Sequence, residues 1–160
     1  MSVSKHKGNI IIDLQMGVKR DGTLVAEDAK LVMDGGAFAS SWVFQVWVPY
    51  VYSEARYNIP NHRYEALRVY TNKSSCSMQR YHGDQLIFAE EQMLDKMAKD
   101  LGIDPAEIRL RNAHKAGDVL HSKSKITSFP LSETIEKAVA ASEWKEKRGR
   151  LARGRGIGLA

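Results

Sequence analysis

A β-hairpin near the N-terminus is the feature that most restricts how this chain can fold. In residues 9–18 apolar side chains occupy every second position, the period of a half-buried strand: Ile10, Ile12, Leu14, Met16 and Val18. Residues 19–22 end in Asp-Gly, a dipeptide that readily takes the positive φ angles of a tight hairpin turn. Residues 23–34 predict the returning strand, and its apolar phase breaks at Glu27 and Asp28, which we interpret as a bulge or twist.

The elements after the hairpin mix strand and helix patterns. Asp34-Gly-Gly-Ala-Phe38 predicts a tight turn, where the glycines also allow a close approach of the backbone to another group. Pro49 predicts that a short helix ends before it and that an irregular segment follows. Periodicity and capping residues predict a strand over residues 63–71 and helices over residues 84–101, 105–113 and 131–142. Together these patterns predict an α+β fold, in which a hairpin and at least one further strand precede three helices.

Length and composition limit the class of protein. With 160 residues, of which 43% are hydrophobic, the chain is long enough for one domain with a core. No apolar run reaches the ~18 residues of a membrane span, and the first residues lack the apolar region of a secretory signal. Cys76 is the single cysteine. It allows no internal disulfide, and we therefore expect a reducing, cytoplasmic location.

The net charge of +5 raises a nucleic-acid partner as an alternative. Much of the excess lies in the last sixteen residues, which hold one acid, Glu146, and six bases: Lys145, Lys147, Arg148, Arg150, Arg153 and Arg155. Without this segment the chain is close to neutral, so the pattern favours a solvated basic linker. The competing hypothesis is a basic α+β module that binds nucleic acid without catalysis, although only Trp144 lies nearby as a stacking aromatic.

The loop between the predicted third strand and the helix at residue 84 holds most of the candidate functional residues. Loops fixed between rigid elements are where binding and catalytic groups concentrate. Arg80 lies in this loop, close to a helix N-terminus whose unpaired N–H groups attract an anion. An arginine there suits an oxyanion, a phosphate or an oxo-metal group, and a surface ion pair is the alternative interpretation.

Short motifs follow one another in order along nearly the whole chain. They are Gly17-Val-x-x-Asp-Gly22, Asp34-Gly-Gly-Ala-Phe38, Tyr57-Asn-Ile-Pro-Asn61, Val69-Tyr-Thr-Asn72, the Arg80 loop, Glu91-Gln-Met-Leu-Asp95, Leu101-Gly-Ile-Asp-Pro105, Arg109-Leu-Arg-Asn112 and Gly154-Arg-Gly-Ile-Gly158. In this order and spacing the chain resembles the molybdenum-binding subunit of the xanthine dehydrogenase and aldehyde oxidase family, the molybdenum hydroxylases. The resemblance indicates a family rather than a substrate.

The resemblance implies roles for the residues of the loop. Arg80 matches the family's arginine beside the molybdenum. The backbone of Met78, Gln79 and Arg80 would face the ligands of the metal or the pterin dithiolene, where N–H dipoles and a cation stabilise negative charge. Tyr81 and His82 stand where the family has the first two residues of a Gly-Phe-Gly turn. The family's phenylalanine packs on a flat substrate ring, so we expect Tyr81 and His82 to contact a different substrate.

Two further positions narrow the substrate by resemblance. Val48 stands where the purine-oxidising members carry a substrate-binding arginine, which argues against xanthine. Carbon monoxide dehydrogenases carry a cysteine directly after the loop arginine, and that position is Tyr81 here. Cys76 lies on the other side of the arginine, so we interpret it as a structural thiol.

The resemblance also implies that these residues are part of a larger enzyme. The family's glutamine-bearing pterin loop and its glutamate base have no counterpart here, so we expect a fragment that is inactive and binds no cofactor alone. Residues 1–72 would end one molybdenum-binding half, residues 73–144 would hold the cofactor and substrate loop with the helices, and residues 145–160 would form a basic linker and the start of a strand. We expect the fragment to self-associate through exposed apolar edges.

The expected parent is a molybdopterin-dependent oxidoreductase. By resemblance it would hydroxylate, or reductively dehydroxylate as hydroxybenzoyl-CoA reductase-like members do, an aldehyde, heteroaromatic or aryl-CoA-type substrate. Its expected partners are the rest of the molybdenum subunit and the iron–sulfur and FAD domains or subunits, with no nucleic acid and no membrane.

Overall fold

The computed structural model of the chain describes residues 7–39, 42–74 and 83–147. Within these ranges the chain forms three strands and five helices. In chain order they are β1 (Ile10–Val18), β2 (Leu24–Asp34), α1 (Trp42–Arg56), β3 (Asn61–Val69), α2 (Gly83–Leu101), α3 (Pro105–Asn112), α4 (Leu131–Ala141) and α5 (Trp144–Lys147). The predicted α+β class is confirmed.

The strands form one mixed sheet in the order β1-β2-β3. β1 and β2 pair antiparallel, with Ile10 opposite Met33, so the predicted hairpin is confirmed. β2 and β3 pair in parallel, with Asp34 opposite Val69. Parallel neighbours need a crossover connection, and α1 supplies it between the two strands.

The irregularity predicted around Glu27 and Asp28 is present, but it lies just before them. The pairing of β1 with β2 runs through both residues without a shift, and the shift lies between Gly17 and Val18, whose partners are Ala26 and Leu24, so that Val25 is left as the extra residue of β2. Glu27 is a core-facing residue of β2 that is only 3% exposed, so the alternation continues through it with a carboxylate in an apolar position. At Glu27 itself the phase break in the sequence therefore marks a buried polar group with partners.

The predicted end of the helix at Pro49 is wrong, because α1 continues through Pro49 to Arg56. A proline inside a helix removes one backbone hydrogen bond and costs about 3 kcal/mol or more. Pro49 is fully buried, as are its neighbours on the same helix, Gln45 and Ser53, which are 1% and 3% exposed. Tertiary packing of this face of α1 offsets the local cost of the proline. Helix propensities read from the sequence do not include such packing.

α2 packs on one face of the sheet and against α1, and it contributes to two groups of core residues. One group contains Leu24, Tyr57, Ile59, Leu94, Met97, Ala98 and Ile108. The other contains Ala29, Leu31, Met33 and Leu86. No helix in the described parts of the chain has the length and apolar character needed to cross a membrane.

A buried ionic network joins α1, α2 and α3. The side chain of Arg109 is 0% exposed, and its guanidinium lies 2.7 Å from a Glu91 carboxylate oxygen and 2.8 Å from one of Asp95. Arg56 pairs with the other Glu91 oxygen at 2.9 Å, and the Tyr57 hydroxyl donates to that oxygen at 2.9 Å. Burial raises the pKa of Tyr57, and the Glu91 charge adds to the rise, so the phenol stays a hydrogen-bond donor.

Candidate functional site

The ends of β2 and β3 remain joined beyond the strands themselves. Three backbone hydrogen bonds extend their pairing: Gly35 donates to Val69 at 2.9 Å, Thr71 to Gly36 at 3.1 Å and Ala37 to Lys73 at 3.0 Å. The turn after β2 is therefore fixed against the residues that lead into the candidate loop. Gly36 has φ 72°, a left-handed conformation that glycine adopts without strain, and the chain bends at residues 37–38 while it stays paired with residues 69–73.

Asp34 adds a side-chain clamp at the same place. Its carboxylate accepts hydrogen bonds from the Thr71 hydroxyl at 2.6 Å, from the Lys73 ammonium at 2.7 Å and from the Gly36 N–H at 3.1 Å. The Lys73 bond, followed by the Thr71 bond, lowers the pKa of Asp34 to about 2, so the group is charged at neutral pH. One carboxylate thus binds the turn and both ends of the Thr71–Lys73 segment.

Arg68 holds the turn from the other side. Its guanidinium donates to the carbonyl oxygens of Gly35 and Phe38 and to the side-chain oxygen of Gln45 in α1. The same group lies 5.0 Å from the centroid of the Tyr70 ring, a cation–π contact. A Cβ atom at position 35 would overlap the Arg68 guanidinium, so a larger residue there would require the Arg68 side chain to shift.

The far side of the candidate loop is fixed at the start of α2. Gly83 packs directly on the Tyr52 ring of α1, where a Cβ atom would overlap the ring. Gln85 donates to the Gly8 carbonyl oxygen at 3.1 Å, and Lys7 pairs with Asp84. Residues 75–82 are therefore connected to anchored residues at both ends.

The predicted site residues divide into two groups. Met78, Gln79, Arg80, Tyr81 and His82 lie outside the described residues, as does Cys76. Val48 lies in α1 and is 8% exposed. The described residues do not test the roles expected for these side chains, and those roles stay predictions.

Gln45 is a buried polar residue that the sequence analysis did not single out. It is 1% exposed and lies one helical turn before Val48. Arg68 donates to the side-chain oxygen of Gln45, whereas the Gln45 Nε2 atom is buried and has no hydrogen-bond partner among the described residues. The sequence offered one signal for Gln45, since it is a lone amide within an aromatic, β-branched run. Such a residue needs a hydrogen-bond partner once it is buried.

A second polar cluster lies where Glu27 faces α1. The Ser53 hydroxyl donates to a Glu27 oxygen at 3.0 Å, and His62 Nε2 lies 3.2 Å from that oxygen and 3.4 Å from the Ser53 hydroxyl. A serine hydrolase triad needs the acid and the serine at opposite ring nitrogens of the histidine. Here both face Nε2, and the Tyr50 ring stacks on His62 at 5.5 Å, so the cluster is a structural support for Glu27.

An open cleft of about 740 Å³ borders this cluster. Its lining includes Gln15, Glu27, Asp28, Asn61, His62, Arg63 and His121. Within the described residues no group of three or more His, Cys, Asp or Glu side chains is arranged to hold a metal ion. The cleft therefore offers polar surface without an evident set of metal ligands in that part of the chain.

The fold and these anchors define a class: an α+β unit in which paired strand ends and the start of a helix fix the chain on both sides of residues 75–82. Comparison with known proteins identifies the family. Residues 1–113 match the molybdopterin cofactor-binding domain. The chain belongs to this family, as part of a molybdenum subunit of the xanthine dehydrogenase and aldehyde oxidoreductase type, which confirms the predicted resemblance.

Two curated relatives illustrate the match. The xanthine dehydrogenase molybdenum-binding subunit of Escherichia coli O157:H7 is 39% identical over 160 aligned positions, which cover 91% of this chain and 21% of that protein. The aldehyde oxidoreductase of Megalodesulfovibrio gigas is 30% identical over 154 positions, covering 93% of this chain and 17% of that protein. The chain thus spans about a fifth of the length of these relatives.

Solved structures agree on the fold. Aldehyde oxidoreductase from Desulfovibrio gigas superposes with a TM-score of 0.83 at 28% sequence identity, over 93% of this chain and 17% of that one. Quinoline 2-oxidoreductase from Pseudomonas putida 86 gives a TM-score of 0.80 at 22% identity, over 92% of this chain and 20% of that one, which supports the fold alone.

Proposed function

We propose that this chain is the part of a molybdopterin-dependent hydroxylase that holds the Arg80 loop beside the cofactor and substrate. The observation that carries the proposal is the family match over residues 1–113. The anchors described above support it, because a group that stabilises charge in a reaction must be held in place before the reaction.

The described residues beside the loop fit an anionic, oxygen-rich group. Asp34, the carboxylate nearest to the loop entry, is neutralised by Lys73 and so adds no free negative charge. Gln45, held by the same Arg68 that binds the turn, has a buried side-chain Nε2 donor without a partner among the described residues. An unpaired buried donor costs free energy unless it receives an acceptor, and an oxygen of a bound group would be one.

The proposal assigns a task to each of the six candidate site residues. The Arg80 guanidinium and the N–H groups of Met78 and Gln79 stabilise negative charge on the bound group. Tyr81 and His82 contact the flat face of the substrate. Val48 offers an apolar side chain instead of an arginine, which disfavours a purine such as xanthine. When bound, molybdopterin supplies the two-electron chemistry, and the protein supplies binding and orientation.

The substrate and the partners belong to the proposal as well. We propose an aldehyde, heteroaromatic or aryl-CoA-type substrate, and relatives named for aldehydes and nicotinate are consistent with that range. The parent would be cytoplasmic and would pass electrons to iron–sulfur and FAD domains or subunits. The division at residues 72 and 144 into the end of one molybdenum-binding half, the loop with its helices, and a basic linker is part of the same proposal.

The alternative of a nucleic-acid-binding module gains no support from the parts of the chain that the structure describes. Four of the six basic residues in the C-terminal segment lie outside the described residues: Arg148, Arg150, Arg153 and Arg155.

The test uses the full-length parent, purified without oxygen, with molybdenum and pterin contents measured beside kcat and KM. We expect stoichiometric molybdenum, and we expect Arg80→Ala to lower kcat by about 10²-fold or more, as removal of a charge-stabilising donor does in other enzymes. Arg63→Ala is the control, since Arg63 is an exposed arginine whose side chain is 72% accessible. A parent free of molybdenum would refute the proposed function. Unchanged kcat and kcat/KM in Arg80→Ala would refute the role of Arg80.

A further inference from the structure

Residues 75–82 of the candidate loop follow closely after Lys73. The contacts that fix Lys73 therefore also set the path by which the chain enters the loop. The backbone bonds from the turn hold Thr71 and Lys73 through their main chains. Asp34 holds the same two residues through their side chains. The two sets of bonds fix different degrees of freedom, because side-chain bonds limit rotation of the segment about its own axis.

Burial makes the carboxylate of Asp34 well suited to this task. Its side chain is 9% exposed, whereas that of Lys73 is 52% exposed. A carboxylate that loses most of its hydration is stable only when donors replace the water. The three donors to Asp34 come from the turn and from the loop entry, so the charge is satisfied only while these two segments stay together.

We infer that Asp34 is a positioning residue for the reaction of the parent enzyme: through Thr71 and Lys73 it sets how the chain enters residues 75–82 and hence where Arg80 lies. This inference rests on the proposed function. Asp34 itself touches neither cofactor nor substrate, and it acts through the loop entry. Misplacing a catalytic group by about 1 Å costs up to ~10²-fold in rate, so a change at Asp34 is expected to be visible in kcat.

Two substitutions separate position from charge. Asp34→Asn keeps the shape of the side chain and makes the local charge more positive by one. Lys73→Met removes the same ion pair and makes the charge more negative by one. If Asp34 acts by position, both variants lower kcat in the same direction, and the double variant is no worse than the single ones. If charge alone matters, the two variants shift kcat in opposite directions and the double variant resembles the wild type.

The control and a milder variant come from the same sheet. Lys30→Met removes an exposed lysine that lies 3.8 Å from Glu65 across β2 and β3, with side-chain exposures of 51% and 42%. It should change nothing. Thr71→Val removes one donor to Asp34 with little change in volume. It keeps the test open if Asp34→Asn does not fold.

The experiment measures kcat, KM, molybdenum content and hydrogen exchange of peptides over residues 69–83 in the full-length parent. Support would be a fall of about tenfold or more in kcat for Asp34→Asn and Lys73→Met. Faster exchange in those peptides and an unchanged molybdenum content would accompany it. Unchanged exchange and kcat would overturn the inference, and so would opposite shifts in kcat.

Failure of the proposed function would be seen separately from failure of this inference. A parent without molybdenum refutes the function whatever its variants do. In a parent that contains molybdenum and loses activity in Arg80→Ala, normal exchange and kcat in Asp34→Asn refute only the positioning role.

Discussion

Buried charged side chains set the sharpest constraints at the scale of single residues. Arg109 stands first in volume among the described side chains that the fold buries completely. Its charge is tolerated because Glu91 and Asp95 face it and the Pro105 carbonyl oxygen accepts a further bond at 2.8 Å. Such a network stabilises less than its contacts suggest, but removing Arg109 takes away the guanidinium that faces one oxygen of Glu91, a carboxylate only 8% exposed.

Arg109→Met should therefore destabilise the chain by about 3–5 kcal/mol, the range seen when one partner of a buried pair is removed. The measurement is urea-induced unfolding followed by circular dichroism. Lys137→Ala is the matched control, because Lys137 pairs with Glu133 one turn away and both side chains are more than 60% exposed. That change should cost no more than about 0.5 kcal/mol. Equal losses in the two variants would mean that the network contributes nothing.

The sequence predicted what depends on neighbours along the chain and missed what depends on distant ones. The hairpin, the turn at Asp34 and the cap of α3 were predictable, since alternation, glycines and an Asp-Pro pair act locally. Asp104 indeed caps α3 by accepting a hydrogen bond from the Ala106 N–H at 2.7 Å. The hydrogen bonds of Glu27 and of Arg68 join residues that are 23 to 35 positions apart in the sequence. No local sequence pattern predicts such contacts.

At the scale of elements, α2 begins and ends at glycines that are needed for different reasons. Gly102 ends the helix with φ 69°, and the space where a Cβ atom would point is open. Gly83 begins it against the Tyr52 ring, with no room for a Cβ atom. Gly102 thus meets a conformational requirement, and Gly83 meets a requirement of packing between α1 and α2.

The two substitutions to alanine should therefore respond differently to a change at Tyr52. Gly102→Ala should cost about 1 kcal/mol through backbone strain, whether or not Tyr52 is present. Gly83→Ala should cost more, about 1–3 kcal/mol, because the ring must move. Combining each with Tyr52→Ala in urea unfolding tests this, since only Gly83→Ala should be partly relieved. Equal coupling of both glycines to Tyr52 would contradict the explanation.

In the candidate site, too, the sequence indicated individual residues but not the contacts between residues far apart in the chain. Family motifs directed attention to Arg80 and Val48 from the sequence alone, but they did not indicate what anchors the loop. Asp34 meets Thr71 and Lys73 across 37 and 39 positions of sequence. That meeting depends on the parallel pairing of β2 with β3, which only the folded chain reveals.

At the scale of the whole molecule, the sheet carries an apolar row that stays open to solvent within the described residues. Ile11, Val32 and Leu67 are direct neighbours across β1, β2 and β3, and they form this row on one face. Ile11 is 72% exposed and Leu67 is 47% exposed. Apolar surface of this kind promotes association, and the expectation that the isolated chain self-associates stays a prediction.

The row makes that expectation testable. Ile11→Lys combined with Leu67→Lys should lower the association of the purified 160-residue chain, because two ammonium groups placed along one face repel their counterparts in a second copy and resist desolvation. Sedimentation velocity over a range of concentrations measures the effect. Phe88→Lys is the control, since Phe88 is 68% exposed on α2 instead of the sheet. If the control disperses the chain as well as the sheet variant does, general charge is the cause. If only the sheet variant does so, the open face is where the chain meets another surface.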